Sequence, residues 1–301
     1  MKKFLSVLMA GAMLFGVLTL AGCGDTTTDT GEDTTTTEDT TTTAEFTTVT
    51  EGVLTMSTNA AFPPYEMTDD SGNIVGIDAE IAAAIAEKLG LELQIDDMDF
   101  DGALAAPQSG KSDIVMAGVT VNEERQLVLD FSNTYANGVQ KVIVAEGSDI
   151  TMENLGEQQI GTQKGTTGNI LTTDEFGEDH VIAYDDAIAA VQALNNGQID
   201  CVVIDSAVAD NLVEANPGLT TLDTDYANED YAIGVAKGNT ALLDAINTAL
   251  QELIDDGTVQ SIIDKYIPTD GTAADEAGTT DEAGATDEAG ATDGAEADTA
   301  A

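Results

Sequence analysis

Between residues 52 and 268 the spacing of apolar side chains alternates between two and about four, and the whole alternation occurs twice. Val53-Leu54-Thr55-Met56 reads as a short strand. Ile81, Ile85 and Leu89 recur at i+4 and predict a helix over 78–89, with Asp78 able to cap its start and Gly90 to stop it. Leu91 to Ile95 alternates with period two and reads as a strand. Strand, helix and strand in that order make a βαβ unit with parallel pairing. Residues 113–117 add another strand. The pattern then restarts, with strands over 139–145 and 159–161 and a helix over 186–195 that carries Ile188, Val191 and Leu194 on one face. A buried strand at 201–204, helix 206–215, strand 231–235 and a long amphipathic helix 240–255 ending at Gly257 complete it. Two successive α/β units predict two lobes, with a small-molecule cleft between them at the carboxyl ends of the strands.

The charge excludes several function classes. The chain has 301 residues, with 9 Lys+Arg against 56 Asp+Glu, a formal charge of −47. A basic nucleic-acid or anionic-membrane binder needs clustered Lys and Arg, so no nucleic-acid partner is expected. Two cysteines, Cys23 and Cys201, cannot make a disulfide scaffold. With one histidine beside them they fall short of an ordinary structural zinc site. Cys201 reads as a small buried apolar side chain. A Ser-His-Asp triad would have to use His180, the one imidazole in the chain.

The ends differ from the middle. Residues 24–51 hold eight acids and residues 269–301 hold ten, with no Lys or Arg in either. The first stretch is Thr, Asp and Glu with few large apolar groups, which predicts a flexible tether over 23–51. The second repeats Asp-Glu-Ala-Gly every six residues, at 275–278, 281–284 and 287–290. Nothing in that unit is larger than Ala, so a disordered tail over 268–301 is expected rather than a solenoid. At the start, Lys2-Lys3 precedes an apolar stretch from Phe4 to Leu20, long enough on its own for a secretory signal or nearly for a spanning helix. Leu20-Ala21-Gly22-Cys23 ends it and resembles the lipobox of bacterial lipoproteins. That resemblance implies a signal peptide over 1–22 and a lipidated Cys23 as the mature N-terminus, anchored outside the membrane rather than spanning it.

Within the middle, Asp97-Met98-Asp99-Phe100-Asp101-Gly102 matches the first half of a calcium loop, but Gln108 stands where the bidentate Glu is needed. Gly161-Thr162-Gln163-Lys164-Gly165-Thr166-Thr167-Gly168 is glycine-rich, yet its Lys precedes Gly and no P-loop results. No metal, cofactor or ATP-hydrolysis motif is found. Arg125, the one arginine, follows a buried strand and Gly118-Val119-Thr120. Gly118 lets a ligand approach the backbone, Thr120 offers a hydroxyl and an N–H, and Arg125 offers a planar fork, a set suited to a carboxylate.

Taken with these residues, the middle of the chain resembles the polar amino acid-binding proteins of bacterial ABC importers, solute-binding family 3. Gly76-Ile77-Asp78-Ala79-Glu80-Ile81 resembles the family's signature, with Ala79 smaller than usual. Asn59 to Glu66, Met98-Asp99-Phe100, Gln108 to Asp113, Ala117 to Arg125, Asp130-Phe131-Ser132, Gly161 to Gly168 and Gly197 to Asp205 follow in family order. The resemblance covers roughly residues 52–267. It implies an α/β, two-lobed periplasmic-binding-protein-like fold of type II, with lobe 1 over 52–136 and 230–267 and lobe 2 over 137–229. It implies that Arg125 clamps a ligand α-carboxylate, with donors added by Thr120, the Gly118 backbone and Thr167. Asp205 and the Gly118 carbonyl would receive the α-ammonium, Phe62 and Phe100 would flank the side chain, and Asn59 and Gln163 would set selectivity. A zwitterion leaving water needs one cationic fork and one carboxylate, each fully paired, in agreement with that set.

Other readings of the same residues stay open. Phe62 and Phe100 could be core aromatics, Asp205 and Asp78 helix caps, and Lys164 and His180 solvated. Tyr65 could shape the pocket or pack beside Pro64. Two aromatic flanks suit flat or cationic side chains, whereas the amide of Asn59 stands where relatives for cationic amino acids often have an acid. Glutamine-like and basic ligands both remain. The implied partners are an ABC permease and its ATPase, with the chain a monomer. An enzyme of the dehydratase kind found on this fold, with Glu66 or His180 as its acid or base, and a sensor component are the alternatives.

Overall fold

The computed structural model describes residues 46–223 and 226–268. Cys23, the leader over 1–22, most of the tether and the tail beyond Pro268 lie outside the described residues. The fold begins earlier than the composition suggests. Phe46 packs against the main apolar cluster, and the Val49 N–H donates to Asp113 Oδ1 at 2.6 Å. One aromatic anchor and one buried acid thus place residues 46–51, the end of the expected tether.

The chain opens with strand β1 (Val53–Thr58), a small antiparallel sheet of β2 (Ala61–Phe62), β3 (Glu66–Thr68) and β4 (Ile74–Val75), and helix α1 (Ile77–Leu89). Then come β5 (Glu92–Asp97), α2 (Phe100–Ala105), β6 (Ile114–Val115) and the long β7 (Leu129–Ala145). β8 (Ile160–Gln163), α3 (Thr167–Phe176), β9 (Val181–Tyr184), α4 (Ala187–Asn195), β10 (Cys201–Asp205), α5 (Ser206–Ala215) and β11 (Leu219–Thr221) follow. The chain returns through β12 (Ala227–Ala236) and closes with α6 (Thr240–Asp255) and α7 (Thr258–Tyr266).

Both expected βαβ units form: β1 pairs β5 in parallel across α1, and β8 pairs β9 and β10 in parallel. The main sheet runs β5-β1-β6-β12-β7-β10-β8-β9, with β11 beside β7. Its two middle strands join the two sets. β7 pairs β12 from Leu129 to Gln140, then pairs β10 from Gln140 to Val144. The register between β7 and β12 shifts at Tyr231/Ala232 and Ala232/Gly234. Such bulges bend and twist a strand where it passes from one packing layer to the next.

Three local expectations change. Asp78 does not cap α1; Gly76 holds the cap position, and Asp78 sits buried in the first turn. Arg125 opens a single 3-10 turn, Arg125–Leu127, rather than a helix. The acids of the calcium-like loop serve the backbone: Asp99 Oδ1 accepts from Gly102 N at the start of α2, and Asp97 Oδ1 accepts from Ala60 N. Among the described residues no helix is long and apolar enough to cross a membrane.

Candidate functional site

The parallel strands β1, β6, β8 and β10 all point their carboxyl ends at one cleft, so the loops that leave them converge there. The loop after β1 brings Asn59 and Phe62, and the loop after β6 brings Gly118, Thr120 and Arg125. Gln163 ends β8. Thr166 caps α3 by accepting from Asn169 N, which places Thr167 at the first turn. Phe100 is placed by the Asp99 cap of α2. These eight sequence-predicted residues line a cleft of about 320 Å³ together with Glu66, Ala117, Gln140, Thr166, Glu229 and Tyr231.

Arg125 is 7% exposed. Its Nη1 donates to Thr120 O at 2.8 Å and its Nη2 to Gly165 O at 3.1 Å, so the fork reaches across the cleft to the loop after β8. The guanidinium lies 5.3 Å from the Phe100 ring centroid, a cation–π distance. Burial pulls the Arg125 pKa down, and the Glu229 carboxylate opposes that pull. Asn59 donates to Met98 O at 2.9 Å and accepts from Gln163 Nε2 at 2.8 Å, a second bond between the two strand sets. At the mouth, Lys164 pairs with Asp101 at 2.7 Å instead of standing free.

Gly118 has a different tenant from the one expected. Its N–H donates to Asp78 Oδ2 at 2.9 Å, and a Cβ there would stand 2.8 Å from Phe62 Cε1. The absent side chain therefore makes room for the Phe62 ring. Phe62 stacks on Tyr65 with centroids 5.8 Å apart, and Tyr65 meets Tyr231 edge-on at 5.2 Å. Phe62 is thus both core and cleft wall, while Tyr65 is a packing residue.

Asp205 is the predicted residue that the structure keeps out of the lining. It is fully buried; Oδ1 accepts from Ala207 N and Val208 N and so caps α5, and Oδ2 contacts Tyr231 Oη at 2.8 Å. The carboxylate that does face the cleft is Glu229. It accepts from Thr120 Oγ1 at 2.9 Å, Gln140 Nε2 at 2.6 Å and Tyr231 Oη at 2.8 Å. Glu229 and Gln140 were missed because they lie far from any motif, in strands that meet the cleft only through β7–β12 pairing. His180 lies outside the lining, its Nδ1 3.4 Å from Gln158 O. Burial pushes the Cys201 thiol up to about 12, as for an inert core residue.

The cleft wall concentrates buried acids. Burial pushes Asp78 and Asp205 up to about 6 and Glu66 well above the usual carboxylate range. The folded chain then holds more protons than the unfolded chain between about pH 4 and 7, and stability falls as pH rises through that window. Exposed carboxyls held low by hydrogen bonds, Asp69 and Asp130, act in the opposite sense but only below the ordinary carboxylate range. A pH series of thermal unfolding is expected to show Tm rising as pH falls from about 7 to 5. A Tm that drops throughout that interval would contradict the protonated wall.

Comparison with known proteins follows the same outline. Residues 54–269 match the family described as bacterial extracellular solute-binding proteins, family 3. The chain is 29% identical over 282 residues to a probable histidine-binding protein of Neisseria gonorrhoeae, covering 91% of this chain and 98% of that one. It is 30% identical over 225 residues to the L-cystine-binding protein TcyJ of Escherichia coli K12, covering 73% and 85%. Among solved structures, an ancestral arginine-binding protein bound to glutamine superposes with a TM-score of 0.70 at 39% identity, covering 73% of this chain and all of the other.

Proposed function

The chain belongs to the bacterial extracellular solute-binding proteins, family 3, and on that premise we propose that it binds a polar or basic amino acid and delivers it to an ABC importer. The observation that carries the reading is the pairing of one buried cationic fork, Arg125, with one buried carboxylate, Glu229, in a cleft of about 320 Å³. A zwitterion can leave water only where both its charges are met. Arg125 takes the α-carboxylate, with Thr120, the Gly118 backbone and Thr167 as further donors. Glu229 takes the α-ammonium with the Gly118 carbonyl, a role the family pattern alone assigns to Asp205. Asp205 supports it from behind through Tyr231. Phe62 and Phe100 flank the side chain, and Asn59 and Gln163 contact its far end.

The fold is the two-lobed periplasmic-binding fold. Lobe 1 is assigned to 52–136 and 230–267 and lobe 2 to 137–229, a division supported by the β7–β12 crossing and by the register shifts at Tyr231 to Gly234. The two strands act as the hinge, and ligand recruits Gln163, Gly165 and Thr167 of lobe 2 to lobe 1. The chain works outside the cytoplasm as a monomer, held by a lipid on Cys23 after loss of residues 1–22, with 23–51 as spacer. It presents the closed form to a permease whose ATPase supplies the energy, and it performs no chemistry itself.

The test is calorimetric unfolding of the refolded full chain against the twenty amino acids, since the chain has no Trp. A ligand at 100 times its Kd is expected to add about 2.7 kcal/mol. No shift with any of them would overturn the reading.

A further inference from the structure

The cleft is rich in acceptors that lack a donor. Among the described residues, Glu66 Oε1 and Oε2, Gln140 Oε1, Gln163 Oε1 and Thr167 Oγ1 are buried without a hydrogen-bond partner, and all four residues line the cleft. Buried polar atoms are paired in folded proteins, so this set calls for a group that brings N–H donors. The charge balance points the same way. Glu66, Asp78, Asp205 and Glu229 are buried around the cleft, and Arg125 is the one buried base among the described residues. A zwitterion adds no net charge, whereas a basic side chain adds one positive charge.

Glu66 is the acid with no assigned task. Asp205 caps α5, Glu229 accepts three donors, and Asp78 accepts from Gly118 N and Tyr135 Oη at 2.9 and 2.7 Å. The Glu66 carboxyl faces Asp78 of α1, Asp97 of β5 and Asp205 of β10, with the phenols of Tyr65 beside it and Tyr135 of β7 across from it. Each of those neighbours is an acid or a phenol. One proton on Glu66 turns its contact with Asp78 from a repulsion into a hydrogen bond. Glu66 starts β3 directly behind the Phe62–Tyr65 wall. The acid missing at Asn59 is therefore supplied seven positions later.

We propose that Glu66 reads the charge of the ligand side chain: it stands in the cleft wall as a neutral acid and binds a cationic side chain by giving up its proton to solvent. A neutral amide side chain leaves the proton in place. Binding of a basic amino acid is then proton-linked, and binding of glutamine is not. This rests on the reading of the cleft as an amino acid site.

Titration calorimetry of the full chain near pH 7 with arginine and with glutamine, in phosphate and in Tris, measures the proton count from the buffer dependence of the heat. Arginine is expected to release about one proton and glutamine none. Arginine affinity is expected to rise by up to about ten-fold per pH unit while glutamine affinity stays level. Glu66→Gln is expected to abolish the release and to cut the arginine-over-glutamine preference by about ten-fold or more. The wild-type buffer comparison decides without the variant. Arginine heats free of buffer dependence, or equal release with both ligands, would overturn the role of Glu66 while leaving the site intact. Binding of neither ligand, nor of any other amino acid, would overturn the site as well.

Discussion

Arg125→Ala is expected to weaken amino acid binding by about 3–5 kcal/mol, a loss of a few hundred- to a few thousand-fold. The size follows from what the change leaves behind. Arg125 is the buried base opposite Glu229, and its fork also ties Thr120 O to Gly165 O across the cleft. Alanine strands Glu229 in the wall with no cation, removes the partner of the ligand carboxylate and deletes one link between the lobes. Arg125→Lys keeps the charge and loses the planar fork, so it is expected to fall between wild type and alanine. Titration of both variants with the ligand that most stabilises the wild type checks the order. Binding by Arg125→Ala within ten-fold of wild type would remove Arg125 from the site.

The legible parts of this molecule are those whose physics is local. The helices over 206–215 and 240–255 form with the expected bounds because each carries its own apolar stripe and its own start signal. The first half of β7 was missed. Asp130, Ser132, Asn133 and Asn137 break the period of two there, because a strand shared between two lobes turns different faces to different cores along its length. α7 was missed because Gly257, which ends α6, also serves as the cap from which the next helix starts. Eight of the expected site residues converge because each sits in a loop whose place is set by a parallel strand. Asp205 shows the limit: a carboxyl at the end of a buried strand can cap the next helix or face a ligand, and its capping bonds to Ala207 and Val208 depend on the exact turn. Glu229, between Asn228 and Asp230, looks like any solvated acid in a chain with 56 of them. Only its long-range bonds to Thr120 and Gln140 distinguish it.

Gly76→Ala is expected to destabilise the fold by about 3 kcal/mol, because two penalties coincide at that position. Gly76 has φ 132, a conformation that residues with a side chain rarely adopt. A methyl there would also collide with the Tyr65 carbonyl, 2.7 Å from its carbon and 2.9 Å from Pro64 O. Those carbonyls are already engaged, Pro64 O by Ile77 N at 3.1 Å and Tyr65 O by Asp78 N at 2.9 Å, and the bonds dock α1 onto the loop that carries Phe62 and Tyr65. The methyl has no flexible side chain to push aside, so either the two bonds or the loop must give. Gly90→Ala separates the penalties. Gly90 has φ 70 with nothing within 4 Å of an added Cβ, so only the conformational cost of about 1–2 kcal/mol applies. Urea unfolding of both variants measures the difference. A clearly larger loss at Gly76, accompanied by weaker ligand binding, is the result expected if helix docking sets the position of the aromatic wall. Equal losses at the two sites would mean that the loop yields without cost, and that the wall is positioned from the Tyr231 side.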